Sequence, residues 1–229
     1  MYLLIFLATL AISLLASARV KSLYHHFSQV SASSRASGAQ VASAILQRAG
    51  IHDVEIVAAD GMLGDHYDPL HKRLVLSPQN YQSDSLAAIG VAAHECGHAL
   101  QHQQGYAPLH LRMAAVGAAQ FANRIVMWLP MLFVFTNFIS PYTGLTLMAV
   151  GWGVIMLFNL ITLPVEFDAS NRAKRVLAEM GFIGSEEEMN GVRKVLDAAG
   201  WTYVAAFVSS LAYLLYFLLP LLLGGRGRN

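Results

Sequence analysis

Residues 142–163 run without a single charged side chain. Coiled as a helix at about 1.5 Å per residue, such a run is about 33 Å long, enough to cross the hydrocarbon core of a bilayer. Lipid cannot hydrogen-bond to backbone groups, so a helix is the form open to a lone run of this kind. Three more apolar stretches accompany it. Residues 2–17 are followed by Arg19 and Lys21. Residues 125–139 are interrupted by Pro130 and preceded by Arg124, and the small residues of 113–122 extend them. Residues 202–224 end before the basic tail Arg226-Gly227-Arg228. No basic residue precedes the first run, so it reads as an uncleaved anchor rather than a signal peptide. Ser140-Pro141 reads as the turn of a hairpin between the second and third runs. Composition agrees: 13% of residues are charged, where a soluble domain has about a quarter, and mean hydropathy is +0.48. The expected fold is mainly α, an integral membrane protein with about four transmembrane helices.

Two polar segments remain, about 20–112 and 165–201. Four spans put both on one side of the membrane. Arg19, Lys21, Arg112, Arg172, Lys174 and Arg175 lie near the membrane ends of these segments, and the positive-inside rule assigns them to the cytoplasm. The tail arginines argue the other way. A net charge of +1 gives no reason to expect nucleic acid. In the first segment, Ser37–Gly50 predicts a helix with Val41, Ile45 and Leu46 on its apolar stripe and Gly50 as its stop. Val54–Val57 and Arg73–Leu76 predict short strands, with a turn at Asp60-Gly61 and a loop from Gly64 to Pro69 between them. Asp84 or Ser83 caps a further helix that runs through Leu86, His94 and His98 to about Gln104, where Gly105 stops it.

That helix carries His94-Glu95-Cys96-Gly97-His98, an H-E-x-x-H pattern. Residues four apart share a helix face, so two imidazoles there can reach one Zn²⁺ at about 2.0–2.1 Å. Glu95, beside the first histidine, is placed to act as a general base on a metal-bound water. Cys96 is the single cysteine, so an intrachain disulfide is excluded. Two positions from His94 it points to another helix face, which favours a packed side chain over a ligand. His102 shares the histidine face, but it is about 12 Å along the axis from His94, too far to join the same ion. Helix surface, substrate cleft and support of a ligand are its readings. The longer H-E-x-x-H-x-x-G-x-x-H pattern is excluded, because positions 101 and 104 are both glutamine.

A catalytic zinc commonly takes a third protein ligand. Glu166, in Leu163-Pro164-Val165-Glu166-Phe167-Asp168-Ala169-Ser170, is the candidate, on a helix that Pro164 would start. A carboxylate serving a helix N-terminus is the equal alternative, and Asp168, on another face, is a competing ligand.

The sequences His94-Glu95-Cys96-Gly97-His98-Ala99-Leu100-Gln101-His102 and Leu163–Ser170 resemble the bacterial membrane-embedded neutral zinc metallopeptidases, the YugP-like group. The resemblance covers nearly the whole chain, including the first anchor, Tyr67-Asp68-Pro69, Leu74-Val75-Leu76-Ser77 and the apolar hairpin. The layout is more distantly similar to the heat-shock membrane proteases and the CAAX-processing prenyl-protein proteases. The resemblance implies a small gluzincin-like α+β catalytic domain and makes Glu166 the third zinc ligand. Those families also place an aspartate four residues after that glutamate to orient a zinc-bound histidine. Ser170 stands there in this chain, a weaker acceptor than a carboxylate, and Asp168 is a substitute for it.

The expected layout is an N-terminal anchor (1–19), a catalytic segment (20–112), a transmembrane hairpin (113–164), a third-ligand segment (165–201), and a C-terminal transmembrane helix with its tail (202–229). The expected function is a multi-pass, zinc-dependent endopeptidase of the bacterial inner membrane. Its zinc-activated water would hydrolyse peptide or membrane-protein substrates at the cytoplasmic face, with Glu95 relaying the proton. His102, Tyr106, His110 and Arg172 are candidates for holding the oxyanion, with Ser170 and Asp168 behind the ligands. The strand at Arg73–Ser77 either pairs with extended substrate or simply packs on the metal helix. The alternative is a non-catalytic membrane scaffold or partner subunit with the same fold; an intact Glu95 argues against it. Of the remaining signals, Asn159 reads as an interhelix hydrogen bond, and Trp128, Trp152 and Trp201 as interface anchors. Ser185 reads as the cap of a helix begun by Glu186-Glu187-Glu188, and His25-His26 as an exposed juxtamembrane pair.

Overall fold

Apolar runs of this length become long helices. The computed structural model describes residues 2–59, 64–136 and 140–224. In chain order its elements are α1 (Tyr2–Phe27), α2 (Gly38–Arg48), β1 (Glu55–Ala58), β2 (His66–Asp68), β3 (Arg73–Leu76), α3 (Pro78–Gln82), α4 (Leu86–Gln103), α5 (Ala107–Thr136), α6 (Pro141–Glu179) and α7 (Glu186–Gly224). The protein is mainly helical, with one small sheet. Among the described residues three helices, α1, α6 and α7, are long and apolar enough to cross a membrane. The sequence reading expects about four. Its second run, 125–139, enters the structure as the end of α5, and residues 137–139 lie outside the described ones. The Asp60-Gly61 turn and the Arg226-Gly227-Arg228 tail also lie outside them.

The described residues divide into two compact units, one from Met1–Leu15, Leu111–Leu163 and Tyr203–Asn229, the other from Ala16–His110 and Pro164–Thr202. In the first, the most apolar windows of α1, α6 and α7 are only 6%, 22% and 17% buried. An apolar exterior of that extent is unfavourable in water by about 25 cal/mol per Å² and suits lipid. Some polar side chains of this unit pair between its helices. Asn159 Nδ2 on α6 donates to the Ala206 carbonyl at 3.2 Å and to Ser210 Oγ at 3.1 Å on α7. Thr9 Oγ1 lies 3.2 Å from the Tyr213 hydroxyl. Trp152 stacks on Tyr213 at 4.4 Å, so it is an internal packing residue rather than an interface anchor.

The second unit holds the sheet. Ser37 and Gln40 close a capping box at the start of α2, and Val41, Ala42, Ile45 and Leu46 bury its apolar face. Gly50 ends the helix at φ +70, a left-handed conformation that glycine takes without penalty. The sheet has the order β1-β3-β2, with β1 parallel and β2 antiparallel to β3. β2 lies within what the sequence reads as the Gly64–Pro69 loop. Three residues are too few for alternation to register, and β2 exists because β3 offers it a hydrogen-bonding edge. β3 is therefore the central strand, with both edges occupied. Substrate pairing along Arg73–Ser77 is ruled out, whereas Leu74 and Leu76 are fully buried, as the packing alternative requires. Leu86, Ile89, Cys96, Leu177 and Val192 complete the core.

Candidate metal centre

The cap of α4 is Ser85 rather than Asp84 or Ser83: its Oγ accepts from Ala88 N at 3.2 Å. Asp84 instead takes Ser31 Oγ and Arg35. From that start α4 runs to Gln103, and Gly105 follows at φ +64. His94 and His98 lie one turn apart on it, their rings 4.8 Å apart and edge-on.

Glu166 arrives on α6. Pro164 does not begin that helix, because α6 is continuous from Pro141 to Glu179 with the proline inside. A proline in a helix forfeits one backbone bond, a loss that helices of membrane proteins tolerate where neighbours satisfy the freed group. The helix therefore carries the charge-free run and Glu166 as one element. Close approach of α4 to α6 depends on Gly97: a Cβ there would meet the Ala169 carbonyl oxygen at 2.6 Å and its Cα at 3.0 Å.

Glu166 Oε2 lies 3.4 Å from His94 Nε2 and 3.7 Å from His98 Nε2, and one ligand atom from each of the three residues falls within 4.8 Å of the others. Two ligand atoms about 2.0–2.1 Å from a tetrahedral metal sit about 3.4 Å apart. The donor set therefore fits Zn²⁺ in kind and in spacing. Glu166 is 2% exposed and His98 8%. Burial alone would depress the basicity of His98, but the hydrogen-bonding carboxylate of Glu166, with the charge of Glu95, holds its pKa above the ordinary value. Glu95, 7% exposed, thus lies within electrostatic reach of the second histidine. Cys96 is fully buried, its Sγ pointing to the Ala42 carbonyl at 3.7 Å. Burial first, and Glu95 second, push the thiol well above its usual pKa, so it contributes packing and no thiolate.

Each imidazole is held through its far nitrogen. His94 Nδ1 lies 3.1 Å from Ser170 Oγ, and His98 Nδ1 lies 3.0 Å from Gln101 Oε1. Asp168 is outside the three-residue group. It takes Arg172 Nε at 2.5 Å and Gln101 Nε2 at 2.8 Å, so among the described residues its link to His98 runs through Gln101. His102 is also outside it: its Nδ1 lies 2.9 Å from the Tyr67 hydroxyl, and its ring faces His110 at 5.9 Å. Arg172 bonds Gln104 Oε1 at 2.5 Å and covers the Tyr106 ring at 5.7 Å. Gln101 is the residue that sequence reasoning missed, weighed only as the absence of glycine in a longer motif. The available signal was an amide three residues after His98, on the same helix face.

A helical chain with membrane-length apolar segments, two motif histidines and a distant buried glutamate defines a candidate zinc centre of the metallopeptidase kind. The chain belongs to the family described as "Putative neutral zinc metallopeptidase", which matches residues 2–222. It is 43% identical over 223 residues to the "Putative membrane protease YugP" of Bacillus subtilis (strain 168), covering 97% of each chain. No solved structure matches it.

Proposed function

We infer that this protein is a membrane-bound, zinc-dependent endopeptidase of the gluzincin type, with His94, His98 and Glu166 as metal ligands and Glu95 as the catalytic base. The observation that carries the reading is the meeting of Glu166 Oε2 with both imidazole Nε2 atoms at metal-sharing distances. Family membership and the relative's name as a membrane protease support it.

Zn²⁺, when bound, supplies a Lewis acid and lowers the pKa of the water it carries to about 7. The rest belongs to the chain. His94 and His98 present neutral nitrogen donors and Glu166 a single negative charge, which leaves the centre net positive. Glu95 accepts the proton of the water that attacks the peptide carbonyl, then hands it to the leaving amine. Ser170 and Gln101 keep the imidazoles facing inward. A cavity of about 530 Å³ beside α4 is lined by Ile51, Asp53, Val54, Tyr67, Ala99 and His102 and by none of the proposed ligands.

The proposed topology adds α5 as a fourth span, which returns both polar segments to one side, cytoplasmic by their basic residues. Glu166 stands three residues beyond the charge-free run, so the substrates are membrane proteins or membrane-near peptides of the bacterial inner membrane.

Zinc content and casein cleavage of the detergent-solubilised protein, wild type against Glu95→Gln, test the function. Retained zinc with lost cleavage in the variant is expected. Full zinc in the wild type with no cleavage of any substrate would instead make the protein a metal-holding scaffold.

A further inference from the structure

Gln101 is completely buried, and both ends of its carboxamide are engaged. Nε2 donates to the Val165 carbonyl at 2.8 Å and to Asp168 Oδ2 at 2.8 Å. A peptide carbonyl and a carboxylate accept hydrogen bonds and do not donate them. The NH₂ end must therefore face α6, and Oε1 must face His98. An oxygen 3.0 Å from His98 Nδ1 can only accept, so Nδ1 carries the hydrogen. In a neutral imidazole the lone pair then resides on the other nitrogen, which is the one 3.7 Å from Glu166. His94 differs: its partner, the Ser170 hydroxyl, can donate or accept and dictates no tautomer.

We propose that Gln101 is the positioning residue of the metal centre, fixing the tautomer and ring plane of His98 and tying both to α6 through Val165 and Asp168. The proposal rests on the zinc-peptidase reading for its metal. Asp168 acts as the brace. It holds the Gln101 amide with one oxygen that also takes Arg172, and Arg172 returns to α4 at Gln104. The ligand Glu166 and the brace Asp168 thus come from the same turn of α6, and any shift of that turn moves the third ligand and the orientation of the second together.

The test uses the full chain in detergent and reads zinc affinity by chelator competition, with the visible spectrum of the Co²⁺-loaded protein. Gln101→Leu keeps the volume and removes the polarity; its zinc affinity is expected to fall about 10–100-fold, with an altered Co²⁺ spectrum and a metal-free circular dichroism spectrum like wild type. Asp168→Ala removes the brace and leaves Gln101 on His98 and Val165; its zinc affinity is expected to fall roughly threefold to tenfold, with an altered Co²⁺ spectrum. Wild-type affinity in Gln101→Leu overturns the proposal. Should the leucine variant fail to fold, Asp168→Ala decides alone, and an unchanged affinity and Co²⁺ spectrum there overturn the proposal. Loss of affinity in Gln101→Leu alongside a wild type that binds zinc but cleaves nothing would sink the peptidase reading and leave the positioning role standing.

Discussion

Gly97 and the carbonyl of Ala169 are so close that a single methyl group on the glycine would sit 2.6 Å from the oxygen. The contact joins the helix that carries both histidines to the helix that carries the glutamate. Gly97→Ala must push α4 and α6 apart or distort one of them. Overpacking of this kind costs about 1–3 kcal/mol. The expected outcome is a lower thermal midpoint and weaker zinc binding, since the gap between Glu166 and the histidines opens. A variant with unchanged melting and full zinc content would show that the helices do not depend on this approach.

Removal of Glu166, the proposed third ligand, should abolish tight metal binding. Glu166→Gln is nearly isosteric but uncharged, and an amide oxygen is a poor partner for Zn²⁺ beside two neutral imidazoles. Purified Glu166→Gln is expected to carry well under one zinc per chain by atomic absorption, and Asp168→Ala to keep more zinc than Glu166→Gln. The reverse order would assign the ligand to Asp168.

The hydroxyl behind His94 is a weaker support than a carboxylate, and its loss should be milder than loss of a ligand. Ser170→Ala is expected to lower zinc affinity by roughly tenfold, the low end for groups behind a metal ligand, with the protein still folded. Chelator competition measures it, and an unchanged affinity would make the 3.1 Å contact incidental.

The buried thiol of Cys96 should be inert. Its pKa is raised by burial, so at pH 8 it remains protonated, and only the thiolate reacts. A maleimide reagent is expected to label the native protein negligibly over minutes and the denatured protein fully. Rapid native labelling would mean that the α4 core opens readily.

Within the apolar unit, Asn159→Leu removes the bonds to Ala206 and Ser210. Interhelical hydrogen bonds in membranes contribute about 0.6 kcal/mol on average, so a small destabilisation is expected in a detergent unfolding titration, without loss of zinc. A loss of several kcal/mol would mark Asn159 as a keystone of the helix pair.

Much of this architecture was legible in the chain. The run 142–163, the stripe Val41, Ile45 and Leu46, the strand Arg73–Leu76 and the Ser185 cap of α7 are local patterns, set by hydrophobic periodicity and by polar groups near their own backbone. β2 was hidden because its partner strand stabilises it. Pro164 misled because proline is a strong local signal for a helix start, while α6 runs through it without a break. The interface roles expected of Trp128, Trp152 and Trp201 split, with Trp128 and Trp201 exposed and Trp152 stacked inside.

His94 and His98 lie one turn apart on one helix, so their common face follows from the helix repeat without knowledge of the fold. The length of the run 142–163 likewise matches bilayer thickness. The place of Glu166, the contact of Gln101 with His98 and the separation of Asp168 from the three-residue group did not follow from either. They depend on the approach of two helices distant in the chain, and on which acceptor lies within 3 Å of which donor; no local propensity encodes a distance between segments, and only the packed tertiary structure supplies one.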